Sequence, residues 1–144
     1  DLLSKWFGNS DRLHIDSWVE IDHVDGYKVS LSPKKNISKS KLFFINLGGY
    51  DKNKFEELHE SEFLVGEKKL LIKKRAKETL MKGLDQVHTD DLYDVDDCIE
   101  INKVSNYFIN LNKDDNKNKT LKYNNGYHPI PKKVIETYKS LTKV

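Results

Sequence analysis

Apolar and polar residues alternate one by one over Val19–Asp22, where Val19 and Ile21 interleave with Glu20 and Asp22, and Trp18 shares the face of those two acids. A period of two is the pattern of a β-strand with two unlike faces. Asp25-Gly26 follows, the pair favoured where a two-residue turn needs positive φ. Tyr27, Val29 and Leu31 then alternate with Lys28 and Ser30. The pattern predicts a β-hairpin over Trp18–Leu31. The same pattern returns eighty residues later as Cys98–Leu111. Five positions are identical between the two windows: Glu20/Glu100, Ile21/Ile101, Val24/Val104, Tyr27/Tyr107 and Leu31/Leu111. Average residue usage gives roughly one chance identity in such a window, so the match is read as a duplication. In the second window Ser105-Asn106 replaces Asp-Gly, with Asn able to take the same backbone.

Between the two windows the period changes. Ser32–Ser40 is polar, carries Pro33 and has no apolar period, as expected of a linker. Lys41–Leu47 (KLFFINL) has bulky groups at successive positions, the mark of a central strand, and Gly48-Gly49-Tyr50-Asp51 is expected to end it. Phe55–His59 reads as a short helical turn and Glu62–Gly66 as a second strand. Over Glu67–Met81, Ile72, Ala76 and Leu80 recur every four residues, predicting a helix with Gly83 as its C-terminal cap. Asp85–Asp97 is an acidic connection, and Asn112–Thr120 a low-complexity loop. Tyr123–His128 carries an Asn-Asn-Gly turn. Pro131 opens a last helix with Val134, Ile135, Tyr138 and Leu141 on one stripe. Near the start, Leu2, Leu3, Trp6 and Phe7 read as the last turns of a helix already under way.

These elements define an α+β fold: a duplicated β-β-α-β-β unit with largely antiparallel sheet. Residues 1–32 form the C-terminal part of a first repeat and 33–40 a linker. A complete second repeat spans 41–112, and 113–144 hold a polar loop, a turn and the C-terminal helix. The 144 residues suffice for one domain or two small repeats sharing a core. Apolar content of 37% against 33% charge is polar for a globular chain, and 25 basic against 23 acidic residues leave a net charge of +2. That balance is not the electrostatic profile of a dedicated nucleic-acid binder. No apolar run approaches the ~20 residues of a membrane span. The single cysteine, Cys98, excludes an intramolecular disulfide and reads as a packed thiol in mid-strand. A cytoplasmic location is expected, with no membrane association.

The stretches Arg12–Leu31 (RLHIDSWVEIDHVDGYKVSL) and Lys41–Gly66 (KLFFINLGGYDKNKFEELHESEFLVG) resemble an uncharacterised bacterial family, domain of unknown function 1543. The marks are a strand ending in Leu-Gly-Gly, a Glu-Leu-His shortly after, a Phe-Leu-Val-Gly strand, and an Asp followed by the Glu-Ile…Tyr hairpin. Members carry one or two copies of the domain. The first copy here would lack its own Leu-Gly-Gly strand and Glu-Leu-His turn, so it is read as incomplete. The resemblance implies a fold relationship and a bacterial source, and it brings no activity.

Candidate chemistry is sparse. Gly48-Gly49-Tyr50 resembles the start of a phosphate-cradling loop but completes neither dinucleotide nor P-loop spacing, and a tight turn explains it as well. Glu57 and His59 are the sharpest polar pair; on an extended chain they point the same way and could bind a metal or exchange a proton. A metalloprotease helix would need a second His where Phe63 stands. Asp85, Asp90, Asp91, Asp94, Asp96 and Asp97 crowd one connection without the order of a calcium loop. Glu20 and Glu100 repeat and could form paired carboxylates or duplicated salt bridges. His14 is expected to pack and His23 to be exposed at a hairpin tip. Lys68, Lys69, Lys73, Lys74, Arg75, Lys77 and Lys82 make the helix over 67–82 basic, without aromatics to stack on bases. No cofactor and no metal is expected. The leading expectation is a non-enzymatic binding or interaction module that self-associates through exposed strand edges. The alternatives are a small enzyme or metal-dependent protein using Glu57/His59, and nucleic-acid binding through the basic helix.

Overall fold

In a computed structural model, residues 12–83, 86–87, 97–114 and 121–142 are described. The expected helix end at Asp1–Phe7, most of the acidic connection and most of the loop over Asn112–Thr120 lie outside them. The fold is α+β, with antiparallel sheets and two helices. Two compact units form: residues 1–20 with 121–144, and residues 21–120.

The larger unit is built on β4 (Lys41–Tyr50), the central strand expected from its bulky sequence. β4 pairs with β5 (Glu57–Gly66) over ten residues, from Lys41↔Gly66 to Tyr50↔Glu57. On its other side it pairs with β6 (Gln86–Val87) and β7 (Asp97–Ile101). Alternation puts Phe43, Ile45 and Leu47 on one face, and all three are fully buried. Helix α1 (Lys69–Thr79) covers that face with Ile72 and Ala76, followed by Leu80 and Met81. Cys98 packs into the same core, as its mid-strand position predicts. Gly66 is where helix and sheet come closest, since a Cβ there would lie 2.7 Å from Ile72 Cδ1.

Three local expectations are corrected here. Gly48 and Gly49 do not end the strand; β4 runs through them to Tyr50. Glu57–His59 is not a helical turn but the start of β5, because the ladder with β4 extends to the loop and overrides local preference. The turn lies at Asp51, whose carbonyl accepts Lys54 N–H at 2.9 Å and whose carboxylate accepts Asn53 N–H at 2.9 Å. The helix ends earlier than Met81, with Leu80 extended and Met81 left-handed at φ 54, so Met81 takes the cap position expected of Gly83, which follows in the turn at φ 88.

The repeated windows fold alike, but not as long hairpins. β2 (His23–Val24) and β3 (Tyr27–Ser32) pair over two residues only, as do β8 (Lys103–Val104) and β9 (Tyr107–Lys113). Asp25 and Ser105 both take φ 51 at the turns, and Gly26 follows Asp25 at φ 74. Asp22 accepts Val29 N–H at 2.8 Å, and its counterpart Asn102 accepts Ile109 N–H at 3.0 Å. Beyond these residues the outer arm leaves for another sheet. β3 and β9 join antiparallel, making a four-stranded sheet β2-β3-β9-β8. Ser30 faces Asn110 in that pair, and the two are counterparts under the eighty-residue offset. The linker is pinned there: Asn110 Oδ1 accepts Asn36 N–H at 2.9 Å, and Asn110 Nδ2 donates to the Lys34 carbonyl at 2.9 Å.

The smaller unit holds β1 (His14–Glu20), β10 (Lys122–Pro129) and α2 (Lys132–Thr142). β1 pairs antiparallel with β10, so the Asn-Asn-Gly stretch is strand and not turn. A register shift between Ile15 and Ser17 absorbs Gly126, at φ 142. On α2 only Ile135 of the expected stripe is fully buried, and Val134 and Leu141 are exposed.

Candidate functional site

The β4–β5 ladder decides which predicted site residues meet. Directly opposed residues of an antiparallel pair share a face, and alternate residues of one strand do too. Tyr50 faces Glu57 and Gly48 faces His59, so these four share the face away from α1. His59 Nε2 lies 3.9 Å from Glu57 Oε1, and both side chains are part-exposed. Asn46 and Ser61 come next on that face, with Ser61 Oγ donating to Asn46 Oδ1 at 3.0 Å. Phe44 and Phe63 follow, ring centroids 5.4 Å apart. An imidazole and a carboxylate so placed can pass a proton or offer two ligand atoms. Among the described residues, no group of three or more His, Cys, Asp or Glu could hold a metal ion.

The neighbouring residues of the same motif are structural. Leu58 packs against the core. Glu60 reaches past the sheet and accepts Met81 N–H at 2.5 Å, fixing the chain where it leaves α1. Gly49, opposite Leu58, lies on that inner side of β4. Two of the polar residues in the Glu-Leu-His-Glu run thus face outward and one holds the helix.

The other candidates are scattered. Glu20 stands opposite Lys122 at the end of β1, and Glu100 stands on β7 and accepts from Lys41 Nζ at 2.8 Å. The two belong to different units. The hydrogen bond from Lys41 holds the Glu100 carboxyl below its ordinary range, with burial opposing it and Asn102 adding to it. His14 sits 4.6 Å from the Tyr127 ring, with Asp16 at 3.2 Å. His23, expected at an exposed tip, is buried: Nε2 lies 3.2 Å from Asp114 and Nδ1 3.4 Å from Asp22. Of the acidic run only Asp97 is described, opposite Asn46; Asp85, Asp90, Asp91, Asp94 and Asp96 lie outside the described residues. On α1, Lys69 and Lys74 are exposed and Lys73 and Lys77 half-buried, while Lys68 and Lys82 are exposed just outside its two ends. Arg75 is withdrawn from the basic cluster by Asp25.

That Asp25–Arg75 contact is the polar feature that sequence reasoning missed. Asp25 Oδ1 and Oδ2 accept from Arg75 Nη2 and Nη1 at 2.5 and 2.7 Å, and Oδ2 also accepts Val65 N–H at 2.7 Å. The hydrogen bond to Asp25 raises the guanidinium pKa above its ordinary value, with burial opposing and the charges of Asp25 and Glu62 adding. Turn chemistry alone explained Asp25, which hid its second role. The one available signal was that its counterpart is the uncharged Ser105.

No protein of curated function matches this chain. Four solved chains do. One is the crystal structure of a protein Il1583 from Idiomarina loihiensis, 24% identical, with a TM-score of 0.58 over 90% of this chain and 73% of that one. It shares the fold. The model of the family described as Domain of Unknown Function (DUF1543) matches residues 1–31 and 54–111, well over half of the chain, and the protein belongs to that family.

Proposed function

We propose that this protein is a non-enzymatic interaction module that associates with a second copy of itself through open strand edges. In this reading residues 1–32 correspond to the closing part of the unit at 41–112. The observation that carries it is the β1/β10 ribbon, two strands with no third among the described residues. It leaves Ile15 at 44%, Trp18 at 48%, Tyr123 at 50% and Tyr127 at 71% exposure. Two strands alone are marginal in water, and unpaired edges recruit further strands. Size-exclusion chromatography with light scattering is the test. A mass above the 16.8 kDa of one chain is expected, and a clean monomer at the highest soluble concentration overturns the reading.

The second reading is a small enzyme or metal-dependent protein working at Gly48, Tyr50, Glu57 and His59. It is favoured by the 3.9 Å approach of His59 to Glu57 on one face. Elemental analysis separates it from the first. Stoichiometric metal in the purified protein, lost in a folded His59→Ala variant, supports it; metal-free protein that binds no added divalent ion sinks the metal form.

A further inference from the structure

The association proposed above needs a particular edge, and the strands differ in how they are guarded. The outer edge of β5 is blocked by acids: Asp25 takes Val65 N–H at 2.7 Å and Glu62 takes Phe63 N–H at 3.0 Å. β5 also carries Glu57 and Glu60, β7 carries Asp97 and Glu100, and β1 carries Asp16 and Glu20. Charges on an edge strand, and carboxylates aimed at its amides, are how sheets refuse foreign strands. β10 has no carboxylate of this kind; its guards are Lys122 and Pro129 at its two ends and the irregularity at Gly126. Over Lys122–His128 it holds no acid and no proline, and Lys122–Tyr127 are all exposed.

The chain also contains an example of such a join. Two small hairpins, β2/β3 and β8/β9, are each too short to stand alone. They meet through β3 and β9, with the counterparts Ser30 and Asn110 face to face. We infer that β10 pairs antiparallel with β10 of a second copy about a two-fold axis, making a four-stranded sheet β1-β10-β10-β1. This rests on the self-association reading and names the surface it uses. A two-fold pairing is isologous, so one residue of β10 must face its own copy. Tyr123, Asn124, Asn125, Gly126 and Tyr127 are uncharged, and a strand centred among them meets itself without like-charge contact.

The test is a cysteine scan at Tyr123, Asn124, Asn125, Gly126 and Tyr127, one substitution at a time, with mild oxidation of the otherwise native chain. Cys98 is buried and stays in place, and the unsubstituted protein reports any cross-link it makes. A disulfide-linked dimer is expected at the residue on the axis and little at its immediate neighbours. Asn124→Pro and Asn125→Pro each remove one amide, and successive amides point to opposite edges. One of the two is expected to abolish the dimer. A dimer by light scattering that gives no cross-link at any of the five positions, and survives both prolines, overturns the β10 assignment while self-association stands. A monomer by light scattering overturns both.

Discussion

Two strand pairs built from counterpart sequences have unlike surroundings. β7 lies against β4 with Ile99 facing Phe44 and Glu100 facing Phe43. β1 lies against β10 with Val19 facing Tyr123 and Glu20 facing Lys122. Since Val19 and Glu20 are the counterparts of Ile99 and Glu100, β10 stands to β1 as β4 stands to β7. On one face the two partners agree: Leu121, Tyr123 and Asn125 match Leu42, Phe44 and Asn46. On the other they part, with Phe43, Ile45 and Leu47 in β4 against Lys122, Asn124 and Gly126 in β10. The first three are fully buried beneath α1, and the second three are exposed. A ladder needs only backbone and alternation, whereas a second layer needs an apolar face to rest on.

The largest expected effect comes from breaking that difference at one matched position. Phe43→Ala leaves a cavity under α1 and should cost about 3–5 kcal/mol in chemical denaturation. Lys122→Ala, at the counterpart position, should stay within about 0.5 kcal/mol. Equal losses at the two sites would mean that the β10 face is packed after all.

The two turns sharpen the comparison further. Asp25→Ala removes a bidentate partner of Arg75 and the acceptor for Val65 N–H, joining hairpin, sheet and helix at once. Hydrogen bonds to charged groups are worth about 1.5–3 kcal/mol, and partial exposure of Arg75 places the expected loss near the lower end. Ser105→Ala, at the counterpart turn, should change stability by a few tenths of a kcal/mol. Asp25→Asn separates the roles, since an amide oxygen can still accept from Val65 while the ion pair is gone.

Gly66→Ala probes the helix side alone. The added methyl would meet Ile72 Cδ1 at 2.7 Å, and overpacking of this kind costs about 1–3 kcal/mol. Gly66→Ala combined with Ile72→Val should recover part of the loss, because the clashing carbon is the one removed. No recovery would place the strain elsewhere.

What was legible in the sequence follows the same division. The central strand, the helix stripe Ile72/Ala76/Leu80 and the packed Cys98 were readable because periodicity reports a buried face directly. The strand ends were not. Gly48-Gly49 and Glu57–His59 look like turn and helix locally, and become strand only because each supplies the other's ladder. The Asn-Asn-Gly of β10 misled in the same way, since its partner β1 lies about a hundred residues upstream. At the candidate site, alternation did place Glu57 and His59 on one face, whereas nothing local to the sequence marked Glu60 as the acceptor for Met81 N–H. Polar anchors between distant elements, such as Asp25–Arg75 and Asn36–Asn110, leave no periodic trace.

The smallest effect concerns the repeated glutamates. Glu100 accepts from Lys41 at 2.8 Å, which together with Asn102 holds its carboxyl below the ordinary glutamate value in the folded protein. A depressed folded value means that the unfolded chain takes up the proton first as pH falls. The stabilisation is therefore present above the ordinary glutamate range and lost as pH drops through the folded value. Glu100→Gln should lower the melting temperature slightly at pH 7, by no more than an exposed ion pair provides, about 0–1 kcal/mol. The gap to the native protein should narrow as pH falls through the ordinary glutamate range and close only below the lower folded value, where the carboxyl is protonated in both states. Glu20→Gln is the matched comparison, since Glu20 faces Lys122 on the exposed ribbon. If Glu20→Gln gives the same pH-dependent gap, the two glutamates act alike despite their different sheets. If only Glu100→Gln does, the repeated residue has a repeated position but a partner in one unit alone.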